Sequence, residues 1–187
     1  MNDRIKILLW GFDEDVISFR IFVYAMMIPI NDQLHLELVH PEHALPLYNL
    51  AAANYSHIAE WMPWIQNMKG PEFMDQFIHN TTQRYHQNLE HAFVLKLNHQ
   101  IIGRAGIYKI DSFNCTGEIG YWIDQGHQGK GYMSLAVKSL LQYSFDQLHL
   151  NRIEIRCAVH NIRSQQIPER LNFRKEALLK LSRSGIC

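Results

Sequence analysis

Hydrophobic and polar positions change period several times along this chain, and each change marks an element. Leu34-His35-Leu36-Glu37-Leu38-Val39 alternates strictly, as a strand with one buried face does. His40-Pro41-Glu42 ends the alternation and begins a helix. Pro41 suits its first turn, and Leu45, Tyr48 and Ala52 form a stripe that runs as far as Asn54. Pro71 to Asn88 carries a second helical period with Phe73, Phe77 and Ile78. Three strands in close order come next: Ala92–Leu97, a turn at Asn98-His99, Ile101–Ile110, a turn at Asp111–Asn114, and Cys115–Ile123. Met133 to Leu148 is strongly helical, with an apolar face of Leu135, Val137, Leu140, Leu141, Tyr143 and Phe145. Alternation returns over Arg152–Val159, and the helix between this strand and Cys115–Ile123 makes the two parallel neighbours. The pattern predicts an α/β (α+β) domain: a mixed, mostly antiparallel sheet flanked by helices, with one parallel pair.

Composition narrows this picture. A chain of 187 residues, 47% hydrophobic, supplies one domain with a sizeable core and not two. Eighteen basic side chains balance eighteen acidic ones, so no charge excess points to nucleic acid as a partner. Cys115, Cys157 and Cys187 are odd in number and widely spaced, which argues against a disulfide framework and for a reducing cytoplasm. Eleven histidines form no HExxH pattern, and no metal site is expected. Residues 1–26 hold two apolar patches broken by Asp13, Glu14, Asp15 and Arg20; neither reaches the ~20 residues of a membrane span or has the form of a signal peptide. They read as an atypical extension, an added helix or a stretch preceding an internal start at Met27. The domain is expected over 27–181, followed by an irregular tail, 182–187.

The chemistry concentrates in Gln128-Gly129-Lys130-Gly131-Tyr132-Met133-Ser134, between a strand and a helix. Closely spaced glycines leave backbone N–H groups unshielded, and the following helix aims its positive dipole end at the same place. Such a turn binds an anion, and Lys130 adds a point charge suited to phosphate or pyrophosphate. A Walker loop would need Gly at 124 and Ser or Thr at 131, where Asp124 and Gly131 stand. A dinucleotide fingerprint starting at Gly129 would need Gly at 134, where Ser134 stands.

The turn instead resembles the pyrophosphate loop of the GNAT acetyltransferases. Glu118-Ile119-Gly120-Tyr121-Trp122-Ile123 before it, Gly131-Tyr132-Met133-Ser134 within it, and Asn161-Ile162-Arg163-Ser164 with Leu171-Asn172-Phe173 after it follow the RimJ/RimL branch, over roughly Gln33 to Lys180. Gly126 departs from the Gln or Arg usual three residues before the first glycine. The resemblance implies a twisted GNAT sheet with a splayed parallel strand pair, acetyl-CoA as cosubstrate, and a primary amine as acceptor, either a protein N-terminus such as that of a ribosomal protein or a small amine. It implies a further antiparallel strand beyond Phe173–Leu181, where Ser182–Cys187 shows no strand pattern. A bare edge left there would invite pairing with a second copy or aggregation, and a non-catalytic acetyl-CoA-binding remnant is the alternative to an active enzyme.

Roles follow from the same resemblance. Gln128, Gly129, Lys130, Gly131, Tyr132 and Met133 would hold the pyrophosphate, Trp122 and Ile123 would run beside the pantetheine arm, and Asn161 and Ser164 would reach the pantetheine or thiol. Acetyl transfer from a thioester needs a neutral amine and a proton for the departing thiolate. Glu118 is the candidate base, or a solvated strand residue. Ser164 is the candidate thiolate donor, or a cap for a helix over Gln165–Leu171. Trp61 and Trp64, around Pro63, line the acceptor cleft or anchor the core. Cys157 has no evident histidine partner to make it a nucleophile.

Overall fold

The computed structural model describes residues 26–178. The expected tail 182–187 and all but the last residue of the expected extension 1–26 lie outside them. Six strands form one sheet in sequence order: β1 (Met27–Pro29), β2 (Leu34–Leu38), β3 (His91–Leu97), β4 (Gln100–Asp111), β5 (Thr116–Ile123) and β6 (Arg152–Glu154). Every neighbouring pair is antiparallel except β5 and β6, which run parallel. The helices are α1 (Ala44–Ala53), α2 (Tyr55–Ala59), α3 (Glu72–His86), α4 (Tyr132–Asp146) and α5 (Ile162–Arg170). β1 was not expected. Its Pro29 cannot donate to a ladder on both sides and is tolerated because β1 is an edge strand.

The sheet has a core on each face, which explains the near-continuous apolar run of β3. Phe93 and Leu95 point into one core with Leu34, Leu36 and the α4 residues Met133, Ala136, Val137 and Leu140. Ala92 and Val94 point the other way, against Leu47 and Ala51 of α1, Ile58 of α2 and Met74 and Ile78 of α3. Completely burying a side chain such as Phe93 contributes about 2–3 kcal/mol. At the β3–β4 hairpin Asn98 and His99 both have positive φ, 47° and 70°, as a two-residue type I′ turn requires.

Some expectations move. The inward stripe of α1 is Ala44, Leu47 and Ala51 rather than Leu45, Tyr48 and Ala52. The segment is apolar all round, so its pattern did not choose a face. On α4, Leu135 and Phe145 are exposed, and small residues, Ala136 and Ser144, take the buried positions against the sheet. β6 stops at Glu154 and does not continue to Val159. Residues 173–178 form no strand.

Candidate active site

The early end of β6 shapes the site. Only Thr116, Gly117 and Glu118 of β5 pair with β6, through Arg152, Ile153 and Glu154. Beyond them β5 continues to Ile123 with β4 alone beside it, so alternate backbone groups on its other edge have no strand partner. β5 and the chain after β6 part there, and the gap opens into a cavity of about 670 Å³. One wall is α2 and the turn after it, with His57, Glu60 and Trp61; the opposite wall is α5. The end of β5 and the glycine loop complete it.

The loop matches its sequence. Gly129 and Gly131 have φ of 75° and 82°, in the left-handed region, and a Cβ built on either meets nothing within 4 Å. Glycine is required here by conformation, at about 1–2 kcal/mol for other residues, and the backbone faces open space. Gly131 is the N-cap of the 15-residue α4 and no side chain caps that end, so its first-turn donors are available to an anion. Lys130 does not line the cavity. The cation at the loop is Arg163 of α5, whose guanidinium donates to Gln128 Oε1, while Gln128 Nε2 donates to His57 Nε2 on the facing wall. Gln128 therefore spans the cavity mouth.

Asn54, buried between α1 and α2, fixes the start of the loop. Its amide donates to Leu50 O (2.9 Å) and Asp124 Oδ1 (2.8 Å), and its carbonyl accepts from Gln125 N (2.9 Å). Asp124 also receives His127 Nδ1 at 2.6 Å. Burial alone would raise the Asp124 pKa, but the hydrogen bonds from Asn54 and His127 outweigh it and hold the carboxyl below the usual range.

Where α5 meets β5, Ser164 Oγ donates to Tyr121 OH (3.3 Å) and Tyr121 OH donates to Ser164 O (3.0 Å). Cys157 Sγ lies 3.4 Å from Ser164 Oγ. Asn161 caps α5, its Oδ1 accepting from Ser164 N at 3.1 Å. The helix thus begins at Ile162, and its cap is Asn161 rather than Ser164, whose hydroxyl turns inward instead. Cys157 lies in irregular chain beyond β6, not in a strand.

The cavity brings together Trp122, Ile123, Gln128, Gly129, Gly131, Tyr132, Met133, Asn161, Ser164 and Trp61. It leaves out Glu118, whose carboxylate is held by Lys109 Nζ and Arg156 NH2, each at 3.0 Å, at the closed end of the β5–β6 pair. Trp64 also lies outside the lining, stacked on Phe73 with centroids 6.1 Å apart. Sequence reasoning missed Glu60, Arg163, Arg170 and the Asn54–Asp124 link. Arg163 and Arg170 are seven residues apart, hence on one helical face, which was a legible signal; the Asn54–Asp124 pairing across 70 residues was not. Among the described residues, no helix is long and apolar enough to cross a membrane.

The arrangement fits a long phosphorylated ligand: uncapped helix donors, a bare strand edge, and a buried Trp122 Nε1 that has no hydrogen-bond partner among the described residues. Comparison with known proteins agrees. A family model described as an acetyltransferase (GNAT) domain matches residues 33–174. The ribosomal-protein-serine acetyltransferase of Escherichia coli (strain K12) is 29% identical over 153 residues, covering 82% of this chain and 86% of that protein. The structure of MccE, a microcin self-immunity acetyltransferase in complex with acetyl-CoA and AMP, superimposes with TM-score 0.79 at 26% identity, over 84% of this chain and 88% of that one. RimL, a ribosomal alpha-N-protein acetyltransferase in complex with coenzyme A, shares the fold at TM-score 0.79 and 22% identity, over 81% and 86%.

Proposed function

This chain belongs to the GNAT acetyltransferases, and from that premise we propose that it moves the acetyl group of acetyl-CoA to a primary amine, the N-terminal amine of a ribosomal protein. The observation that carries the cosubstrate part of the reading is the bare edge of β5, set between an uncapped helix N-terminus and α5 in one cavity; the acceptor is taken from the similarity to a ribosomal-protein-serine acetyltransferase. The protein is an N-acetyltransferase with acetyl-CoA as cosubstrate. A ribosomal acceptor would put its work in the cytoplasm. The domain is taken to run over 27–181, with 1–26 an extension and 182–187 a tail.

The backbone of Gln128 to Met133 receives the pyrophosphate, aided by the α4 dipole. The edge of β5 at Trp122 and Ile123 offers hydrogen bonds to the pantetheine amides, as a neighbouring strand would. Asn161 stands beside the same arm. The thioester supplies the acetyl group. In a ternary complex the acceptor ammonium first loses a proton to solvent water; the neutral amine nitrogen then forms its bond to the acetyl carbon while the C–S bond breaks, and it passes a second proton to water as the thiolate gains one. Ser164, which lines the cavity with its hydroxyl against Tyr121, is assigned the donation of a proton to sulfur, for which its O–H turns from Tyr121 to the thiolate. Glu60 is the carboxylate lining the cavity, and it draws the acceptor ammonium to the α2 wall beside Trp61. Glu118, tied to Lys109 and Arg156, is not given the role of base.

Calorimetric titration with acetyl-CoA tests the reading. The unaltered chain is expected to bind, and the Gly129→Glu, Gly131→Glu double variant to fold at a cost of about 2–4 kcal/mol from its two left-handed positions but not bind, because its side chains put negative charge into the open space over the loop. An acceptor panel then separates the classes: acetylation of N-terminal peptides over polyamines supports the protein acceptor, and the reverse preference replaces it with a small amine. Background turnover on both, with binding intact, would leave a cosubstrate-binding remnant.

A further inference from the structure

Four other arginines among the described residues are matched to acids: Arg84 and Arg104 to Glu90, Arg152 to Glu154 and Glu176, Arg156 to Glu118 and Glu154. Arg163 and Arg170 make no ion pair among the described residues, and both line the cavity. They stand seven residues apart on α5, two turns of one helical face, so their Cα atoms are roughly 10 Å apart along the axis. Arg163 donates to Gln128 of the glycine loop and Arg170 to Gln166 Oε1 at 3.0 Å, neutral acceptors that leave both charges uncompensated. Against these two cations, Glu60 is the one carboxylate in the lining. The backbone donors of the loop and α4 offer a site for a pyrophosphate, and unpaired guanidinium forks suit a second, separate phosphate.

We propose that Arg163 and Arg170 form a second anion subsite on α5, which takes the phosphomonoester on the ribose of coenzyme A and selects it over the dephosphorylated nucleotide. The inference rests on the acetyl-CoA reading above, and it gives Arg163, held against Gln128, and Arg170 the ribose phosphate rather than the pyrophosphate. A guanidinium presents paired donors in a fork that matches phosphate oxygens, and a monoester carries close to two negative charges, so such a contact is sensitive to both geometry and salt. The competing role for Arg170 is support of the α5 C-terminal dipole, which would act on stability and not on ligand choice.

The test compares coenzyme A with 3′-dephospho-coenzyme A by calorimetry on the unaltered chain, on Arg163→Gln, Arg170→Gln and the double variant, and on Arg174→Gln as an exposed control outside the cavity. Thermal melts accompany each variant. The expected result is at least a tenfold preference of the unaltered chain for coenzyme A. That preference should shrink in each single variant and vanish in the double variant, whose affinity for the dephosphorylated ligand stays near the original. Equal affinity of the unaltered chain for the two ligands would overturn the subsite, and so would parallel loss of both ligands in the double variant. If the unaltered chain binds neither ligand, the acetyl-CoA reading itself has failed.

Discussion

Ser164 shows what a single residue can and cannot disclose. Its place after Asn161 suggested both a thiolate donor and a helix cap, and the cap turns out to be Asn161. The freed hydroxyl joins Tyr121, 43 positions away, a partner no local pattern announces. In Ser164→Ala, Tyr121 keeps its bond to the Ser164 carbonyl, so the fold should persist. We expect kcat to fall roughly 100-fold with KM for acetyl-CoA little changed, as loss of a proton donor requires; steady-state kinetics checks it, and an unchanged kcat removes Ser164 from the chemistry. Lys130 and Glu118 mark the opposite case. Their residue types suited the roles, but the sequence could not say which way Lys130 points or that Lys109 and Arg156 already occupy the Glu118 carboxylate.

At the scale of elements, the meander, the glycine loop and α4 were legible because turn chemistry and period agree there. The strand over Arg152–Val159 was not. Alternation records which faces are apolar, not whether a neighbour supplies hydrogen bonds, and after Glu154 the chain leaves β5 to form the cleft. The closeness of β4 to the end of β5 is equally hidden. A Cβ at Gly103 would stand 2.5 Å from Trp122 O and 2.9 Å from Ile123 Cα, both backbone atoms. Gly103→Ala must therefore push the strand edge that borders the cavity. A loss of about 1–3 kcal/mol in stability is expected, with weaker acetyl-CoA binding; denaturant melts and calorimetry read the two effects, and an unperturbed protein would show that β5 yields freely.

For the molecule as a whole, His91 joins the helix layers around the end of the sheet. Its Nδ1 accepts from Tyr143 OH of α4 at 2.8 Å, its Nε2 donates to Asn88 Oδ1 at 3.0 Å, and Tyr85 of α3 lies 4.6 Å from its ring. Burial lowers its pKa to about 4. Neutral His91 is favoured in the fold, so the unfolded chain binds more protons once pH drops below its ordinary value near 6.5. The stabilisation is complete above that pH and is lost as pH falls toward 4, an upper figure of about 3 kcal/mol. Stability measured across this window should slope for the unaltered chain and lose that component in His91→Gln; an identical slope would place the titration elsewhere. Asn54 carries a different consequence. One buried amide holds the last turn of α1, the Asp124 carboxylate and the Gln125 N–H together, so loosening of the end of α1 is coupled to loosening of the start of the cosubstrate loop. In hydrogen exchange Gln125 should open together with the core amides of α1, and the mouth of the cavity melts only when its foundation does.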